Sequence, residues 1–344
     1  MSLRVAINGY GRIGQSVLRA LYSRYRDRDI RVVAINELTD IDTIAYLTRY
    51  DTTHGRFPLP VERNGQHLLI DGDRIRLLNE ADPDRLPWGE LGVDLVLECS
   101  GAFNDVATAE LHLAAGAGRL LFSQPASAEV DATIVYGFNH QRLRADHRIV
   151  SNASCTTNCV VPLLDLLQRE FGIVKGVTTT IHSAMNDQPV IDSYHHTNLR
   201  LTRSALHSII PVDTGLGRGI DRLLPQLAGR FECVHLRVPT INVSLMDLSL
   251  ELAADTDAAT LNALFRSAAA GALKGLLGYT EEPHASVDFN TDSRSGIVDG
   301  TQTRVSGGNL VKILCWFDNE WAFANRMLDV ALCWPALPEG GPNS

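Results

Sequence analysis

The sequence predicts an α/β protein of two domains: a doubly wound parallel sheet, then an α+β domain with a largely antiparallel or mixed sheet. Short strand-like and helix-like patterns alternate up to residue 150, which is typical of a parallel sheet covered by helices. Longer strand-like runs follow residue 172. A chain of 344 residues is long enough for both domains.

The first element is a strand pattern at residues 3–8 that leads into the turn Gly9-Tyr10-Gly11-Arg12-Ile13-Gly14 and a helical pattern. A second strand pattern at residues 30–35 closes a β-α-β unit of about thirty residues. Glycines in such a turn let the backbone approach a pyrophosphate, which the helix N-terminus stabilises. We therefore expect a Rossmann-type dinucleotide-binding domain, with Gly9, Gly11 and Gly14 at the cofactor.

Glu37 directly follows the second strand. A carboxylate there accepts hydrogen bonds from the adenosine ribose hydroxyls and repels a 2′-phosphate. No arginine lies within residues 32–48 to reverse that preference. The sequence therefore favours NAD over NADP, and the alternative is an ordinary surface glutamate after a strand.

Further patterns complete the first domain, which we expect to span residues 1–154. Strand patterns lie at residues 93–98, 119–122, 133–136 and 148–150, and a helical pattern lies near 105–116. Residues 57–79 contain Asn-Gly and Asp-Gly pairs, which are typical of hairpin turns.

The second domain is expected to span residues 155–318. Its strand patterns lie at residues 173–182, 241–252 and 310–317, and its helical patterns lie near 215–228 and 257–270. Residues 183–210 are polar, rich in histidine and arginine and without a clear period, which predicts a long ordered loop. Loops of this length are usually functional.

Cys155 stands at the start of a helical pattern that ends before Gly172. Free backbone N–H groups and the helix dipole at such a position favour a thiolate, which is the nucleophilic form of cysteine. A buried structural cysteine is the alternative, and position alone leaves both interpretations open.

Composition excludes several classes of function. A net charge of -9 argues against nucleic acid or an anionic membrane as the main partner, and no apolar run reaches membrane-spanning length. Six sparse cysteines favour a reducing cytoplasm over a disulfide framework. Cys155 and Cys159 have no second ligand pair at zinc-site spacing, so no metal site is expected.

Five segments together resemble the glyceraldehyde-3-phosphate dehydrogenase family. They are Ile7-Asn8-Gly9-Tyr10-Gly11-Arg12-Ile13-Gly14, residues 151–159, Ile181-His182-Ser183, Arg237-Val238-Pro239-Thr240 and Phe317-Asp318-Asn319-Glu320. The resemblance implies that Cys155 attacks an aldehyde, that His182 accepts the hydroxyl proton and that hydride passes to NAD, which leaves a thioester. Without the resemblance, a histidine at a strand end is more often structural.

The same resemblance implies the remaining site residues. Arg12 and Ile13 are expected to line the cofactor and Asn319 to bind the nicotinamide amide, with a C-terminal helix at 319–336 completing the first domain. The expected ligands of the aldose phosphate are Ser154, Thr156, Asp187, Thr214, Gly215 and Arg237. The family also implies a homotetramer.

Within the family, three segments resemble the branch that acts on D-erythrose 4-phosphate: residues 184–188, 211–215 and 298–304. Met185 stands where the glyceraldehyde-3-phosphate enzymes usually have a hydroxyl residue, and Glu37 also suits this branch. The branch implies hydrolysis of the thioester to 4-phospho-D-erythronate, in pyridoxal 5′-phosphate synthesis. The alternatives are a phosphorylating glyceraldehyde-3-phosphate dehydrogenase and a catalytically silent NAD-binding regulatory protein.

Two positions depart from the family pattern. Leu201 replaces an arginine that the family uses at a phosphate site, so either Arg200 or Arg203 takes its place or one anion subsite is weakened. Ala81 replaces an arginine that often lies near the cofactor, which predicts a lower affinity for NAD.

Overall fold

A computed structural model describes residues 2–195 and 198–335 of the chain. The chain divides into two compact units, one formed by Met1–Ser154 with Ala324–Ser344 and the other by Cys155–Phe323. In the described part of the chain, no helix combines the length and the apolar character needed to cross a membrane.

The first unit contains a nine-stranded sheet in the order β10-β11-β9-β8-β1-β2-β7-β6-β5. Its strands are β1 (Leu3–Asn8), β2 (Ile30–Asn36), β5 (Val61–Asn64), β6 (His67–Ile70), β7 (Asp73–Leu78), β8 (Leu95–Glu98), β9 (Arg119–Phe122), β10 (Ala132–Thr133) and β11 (Ile149–Ser151). Two further short strands, β3 (Tyr50–Asp51) and β4 (Gly55–Arg56), form a separate ribbon. The helices are α1 (Arg12–Arg24), α2 (Ile41–Arg49) and α3 (Val106–Ala114).

The pairing within this sheet confirms the predicted doubly wound architecture. All neighbours from β10 to β7 pair in parallel, whereas β5 and β6 add an antiparallel hairpin at the edge. The central strands β8 and β9 are buried along their whole length, as expected for a sheet covered on both faces. Helix α2 was not predicted; Asp40 begins it by accepting a hydrogen bond from the backbone N–H of Thr43.

The second unit contains an eight-stranded mixed sheet in the order β13-β14-β12-β15-β19-β17-β16, with β18 paired to β19. The strands are β12 (Ile173–His182), β13 (Ile210–Val212), β14 (Phe231–Arg237), β15 (Ser244–Leu252), β16 (Leu277–Thr280), β17 (Gly296–Asp299), β18 (Arg304–Ser306) and β19 (Leu310–Phe317). The helices are α4 (Cys155–Phe171), α5 (Leu216–Leu223) and α6 (Ala258–Ala270). The mixed sheet was predicted, but strand β14 was not.

Two predicted helices have different bounds in the structure. Helix α5 ends at Leu223, earlier than predicted, because Pro225 lacks the N–H that would continue it, and a short 3-10 turn follows. The C-terminal helix α7 is Trp321–Cys333, and residue 336 of the predicted range lies outside the described residues. Of the predicted loop over 183–210, residues 196 and 197 lie outside the described residues, a 3-10 turn spans Leu199–Thr202, and Ile210 already belongs to β13.

The glycine turn after β1 depends on the absence of side chains. Gly9 has φ +88°, and a Cβ there would lie 2.3 Å from the backbone of Ser100. A Cβ on Gly14 would lie 2.3 Å from the carbonyl oxygen of Gly9. A Cβ on Gly11 would meet no atom within 4 Å, so the backbone at Gly11 borders open space. Two of the three glycines are thus required by packing, and the third leaves room for a ligand.

We expect Gly9→Ala to destabilise the protein more than Gly72→Ala. Both glycines have φ +88°, but Gly72 has open space around it. The left-handed conformation costs alanine about 1–2 kcal/mol at either position. The overlap with the Ser100 backbone adds roughly 1–3 kcal/mol at Gly9 alone. Urea-induced unfolding without NAD measures both variants, and equal losses of stability would contradict the close approach.

Candidate active site

The centre of the second unit's site is the contact between Cys155 and His182. Cys155 is the first residue of α4, and His182 is the last residue of β12. The Sγ of Cys155 lies 3.8 Å from Nε2 of His182, although the two residues are 27 positions apart in the sequence. Gly172, with φ +67°, reverses the chain between the helix and the strand. Because β12 runs back alongside α4, the C-terminal end of the strand lies beside the N-terminal end of the helix.

A backbone hydrogen bond sets the orientation of His182. Its Nδ1 lies 2.8 Å from the carbonyl oxygen of Ser183, which can only accept, so Nδ1 carries the proton in this bond. In the neutral ring, Nε2 then presents its lone pair to Cys155. His182 is buried, and Phe317 approaches its ring edge-on at a centroid distance of 6.4 Å. The arrangement presents a proton acceptor to the thiol.

Burial favours the uncharged form of both groups. It lowers the pKa of His182 to about 4, while the hydrogen bond to Ser183 opposes the shift. It raises the pKa of the Cys155 thiol to about 12, while backbone N–H groups at the helix start oppose the shift. This reverses the expectation of a thiolate, because burial outweighs the helix start. A neutral thiol facing a neutral imidazole can lose its proton to Nε2 as it reacts.

Asn319 is oriented by two serine hydroxyls of the same unit. Ser183 and Ser244 donate hydrogen bonds to its Oδ1 at 3.0 and 2.8 Å. The two serines are linked as well, because the backbone N–H of Ser183 donates to Oγ of Ser244 at 3.1 Å. The amide oxygen of Asn319 therefore faces the serines, and this network joins Asn319 to the residue that follows His182.

Arg237 stands beside His182 in the sheet. The two residues are paired in the parallel register of β12 and β14. Arg237 donates from Nη1 to Oδ1 of Asp187 at 2.5 Å, and its side chain is only 10% exposed. In residues 2–195 and 198–335, its buried Nε has no hydrogen-bond partner. A buried guanidinium with a donor still unused is suited to binding an anion.

The other expected substrate ligands occupy the starts of helices. Thr156 is buried in the first turn of α4, and Ser154 precedes Cys155 in the chain. The hydroxyl of Thr214 accepts the backbone N–H of Leu216 at 3.2 Å, and Gly215 is the N-cap residue of α5. These positions present hydroxyl groups and backbone donors, which are the groups that bind phosphate at helix starts.

The arginines on either side of Leu201 contact other groups of the second unit. Leu201 itself is buried in the 3-10 turn. Arg200 extends toward the carbonyl oxygen of Pro211, which lies 3.5 Å from its Nη1. Arg203 forms an ion pair with Asp192 at 2.9 Å. Both guanidinium groups are therefore engaged with the loop and its neighbouring strand.

A cavity of about 280 Å³ in the first unit borders the glycine turn. Gly9, Gly11, Glu37 and Ala81 line it. The carboxylate of Glu37 accepts the backbone N–H of Tyr10 at 2.6 Å and that of Leu38 at 2.7 Å. A carboxylate fixed beside an open glycine backbone fits the adenosine end of a dinucleotide.

Arg12 and Ile13 lie in the first turn of α1, at the same end of the unit. The Arg12 guanidinium forms a double hydrogen bond with the Asp51 carboxylate, at 2.8 and 3.1 Å. This bidentate pair fixes the direction of the arginine side chain. Ile13 is partly exposed and remains accessible for an apolar contact.

Several structural partners in the site were not predicted from the sequence. Ser244 and His235 were missed, and Ser183 was noted only as part of a motif. Ser183 could have been found from its position next to His182. His235 shares a strand and a face with Arg237, but that signal depends on recognising β14.

Two family models match the chain. Residues 3–106 match the NAD-binding domain of glyceraldehyde 3-phosphate dehydrogenase. Residues 154–319 match the C-terminal domain of glyceraldehyde 3-phosphate dehydrogenase. The first match confirms NAD as the cofactor, which Glu37 and the glycine turn predicted.

We expect His182→Asn to slow the alkylation of Cys155 by iodoacetamide on the order of 100-fold at pH 7. Burial keeps the thiol protonated, and Nε2 of His182 is 3.8 Å from its sulfur. Mass spectrometry of the labelled peptide measures the rate, with the exposed His207→Asn as the matched control. Cys159, 1% exposed and 3.7 Å from the sulfur of Cys315, should react slowly in every variant. An unchanged rate at Cys155 would argue against proton transfer to His182.

Proposed function

Because the chain belongs to the glyceraldehyde-3-phosphate dehydrogenase family, we propose that it oxidises D-erythrose 4-phosphate to 4-phospho-D-erythronate. The family makes it an NAD-dependent dehydrogenase of a phosphorylated aldehyde, and the choice of aldose is our proposal. The observation that carries the proposed chemistry is the 3.8 Å contact between Cys155 Sγ and His182 Nε2. Thiol and imidazole at this distance can perform nucleophilic and acid–base catalysis together.

In the proposed reaction, the sulfur of Cys155 attacks the aldehyde carbon. Nε2 of His182 takes the thiol proton and returns it to the carbonyl oxygen, which gives a hemithioacetal. His182 then removes the hydroxyl proton as the carbon loses hydride and a thioester forms. NAD, when bound, supplies the hydride acceptor. After His182 releases its proton to solvent, it can activate the water that cleaves the thioester, and it finally reprotonates Cys155.

The residues proposed to hold NAD belong to two groups. Gly9, Gly11, Gly14, Arg12, Ile13 and Glu37 would bind the adenosine and pyrophosphate end. Asn319 would bind the nicotinamide amide: its Oδ1 is occupied by two serine hydroxyls, so Nδ2 is the group suited to a carbonyl acceptor.

Arg237 is the proposed anchor for the substrate phosphate. Its ion pair with Asp187 fixes one edge of the guanidinium, and its buried Nε has no hydrogen-bond partner within the described ranges. Thr156, Ser154, Thr214 and Gly215 would add hydroxyl and backbone donors. A dianion needs several such donors, and Arg237 supplies the compensating positive charge.

Hydrolysis of the thioester is supported by the loop around Leu201. A phosphorylating enzyme needs a second anion site for inorganic phosphate, and Leu201 cannot bind an anion. Arg203 is paired with Asp192, and Arg200 extends to Pro211. Water therefore has less competition for the thioester than in an enzyme with a complete second site.

The proposed domain roles and assembly follow the family. Residues 1–154 with the C-terminal helix would bind NAD, and residues 155–318 would carry the catalysis, in a cytoplasmic homotetramer serving pyridoxal 5′-phosphate synthesis. An exposed face of the second unit's sheet supports self-association. Val177, Val234 and Leu310 share this face and are 50%, 45% and 51% exposed.

We expect D-erythrose 4-phosphate to be turned over with a higher kcat/KM than glyceraldehyde 3-phosphate, without a requirement for inorganic phosphate. The altered loop around Leu201 removes a phosphate ligand but leaves the Cys155–His182 pair intact. NADH formation with each aldose, with and without phosphate, measures the preference. Strong preference for glyceraldehyde 3-phosphate with obligatory phosphate would instead identify the glycolytic activity.

We expect Cys155→Ser to reduce turnover by about 10³-fold or more while NAD binding persists. A serine hydroxyl is a much weaker nucleophile than a thiolate. The cofactor cavity of the first unit contains no part of Cys155. Cys333→Ser is the matched control, because it removes a partly exposed thiol from the other unit. Substantial turnover by Cys155→Ser would refute the thioester mechanism. If the unaltered protein binds NAD but oxidises neither aldose, the catalytically silent regulatory protein is the correct alternative.

A further inference from the structure

The imidazole of His235 lies against the imidazole of His182. The ring centroids are 5.0 Å apart and the planes differ by 27°, which is a stacked arrangement. The register of the parallel strands β12 and β14 causes this contact, since Thr180 pairs with His235 and His182 pairs with Arg237. Alternate residues of a strand share one face of the sheet. His235 therefore lies on the same face as the proposed base and the proposed phosphate anchor.

We propose that His235 is a positioning residue for His182: its stacked ring shields one face of the His182 imidazole from water and keeps Nε2 turned toward Cys155. The inference rests on the proposed function, in which Nε2 of His182 receives the thiol proton. His235 itself acts only through His182. The hydrogen bond from Nδ1 to Ser183 fixes the His182 ring at one atom, and the stack limits its tilt about that bond.

His235 is held by packing. Its Nε2 is buried and has no hydrogen-bond partner in the portion of the chain that the structure describes. Burial, with smaller contributions from the neighbouring His182 and Arg237, lowers the pKa of His235 to about 3. At neutral pH the stacked ring is therefore uncharged. It adds bulk beside His182 without adding a positive charge that would oppose proton acceptance.

The ionisable surroundings of His182 come from several elements. They are Cys155 of α4, His235 and Arg237 of β14, Asp187 after β12, and Glu320 before α7. The charge of Arg237 lowers the pKa of His182, whereas Glu320 and Asp187 raise it, and burial is the largest influence. Removing the His235 ring admits water beside His182. The pKa of His182 should then rise toward the ordinary value for histidine.

The experiment compares His235→Ala with His235→Phe in the protein without NAD or substrate. Alanine removes the stacked ring, whereas phenylalanine keeps a ring and removes its nitrogens. NMR titration of 13C-labelled histidines, with His182 assigned through His182→Asn, gives its pKa directly. We expect His235→Ala to raise the titration midpoint of His182 by roughly one pH unit and His235→Phe to leave that midpoint unchanged.

Two further measurements test the orientation of Nε2. Iodoacetamide labelling of Cys155 at pH 7 should slow by roughly tenfold in His235→Ala and stay near the original rate in His235→Phe. The pKa at which kcat/KM falls at low pH should equal the pKa of His182 from the NMR titration in both variants. His284→Ala is the matched control, because it removes a half-buried imidazole packed on Phe289 in the same unit.

An unchanged midpoint and labelling rate in His235→Ala would overturn the proposal. Equal effects of alanine and phenylalanine would also overturn it, because they would assign the role to a ring nitrogen. If His235→Ala does not fold, His235→Asn, which also removes the ring, carries the same expectation. Absence of dehydrogenase turnover in the unaltered protein would contradict the proposed function alone, since titration and labelling need neither substrate nor cofactor.

Discussion

The site of the second unit depends on the way that β12 returns along α4. The helix of 17 residues spans about 25 Å at 1.5 Å per residue, and the strand of 10 residues spans about 33 Å. Because only Gly172 separates them, the two elements reverse direction at once. The start of the helix and the end of the strand must then lie at the same end of the unit. This constraint brings Cys155 to His182, and the register of β12 with its neighbours places the other polar groups around that pair.

Burial then determines the protonation of the pair. The start of α4 supplies backbone N–H groups that stabilise a thiolate, but removal of water costs the charged form more. The same effect keeps His182 neutral, and a neutral imidazole is the form that can accept a proton. Each group therefore becomes reactive through the other: proton transfer creates opposite charges 3.8 Å apart, where they stabilise each other. Burial thus makes the thiol's reactivity dependent on its histidine.

The sequence predicted those features that local patterns specify. The strand, glycine turn and helix at the start of the chain are contiguous, so the Rossmann-type sheet and the position of Glu37 could be derived directly. Strand β14 was missed because Glu232, His235 and Arg237 interrupt its apolar residues. Glu232 lies on the exposed face of the sheet, whereas His235 and Arg237 lie on the face of His182, which became clear only from the strand register. The pairing of Cys155 with His182 could not be derived from spacing, since 27 residues separate them. It followed from the family resemblance, and the dominance of burial over the helix start became visible only in three dimensions.

The candidate sites of the two units are built by opposite means. In the first, the glycine turn works through missing side chains: Gly9 and Gly14 allow backbone segments to touch, and Gly11 leaves the backbone open to the cavity. In the second, Cys155 at the start of α4 contacts His182 at the end of β12, and Arg237 of β14 lies beside His182, while Asp187 and Leu201 lie on the segment that follows β12. The Cys155–His182 pair therefore depends on the meeting of α4 with β12, whereas Asp187 and Leu201 belong to a connecting segment, and connecting segments tolerate sequence change more readily than paired strands do.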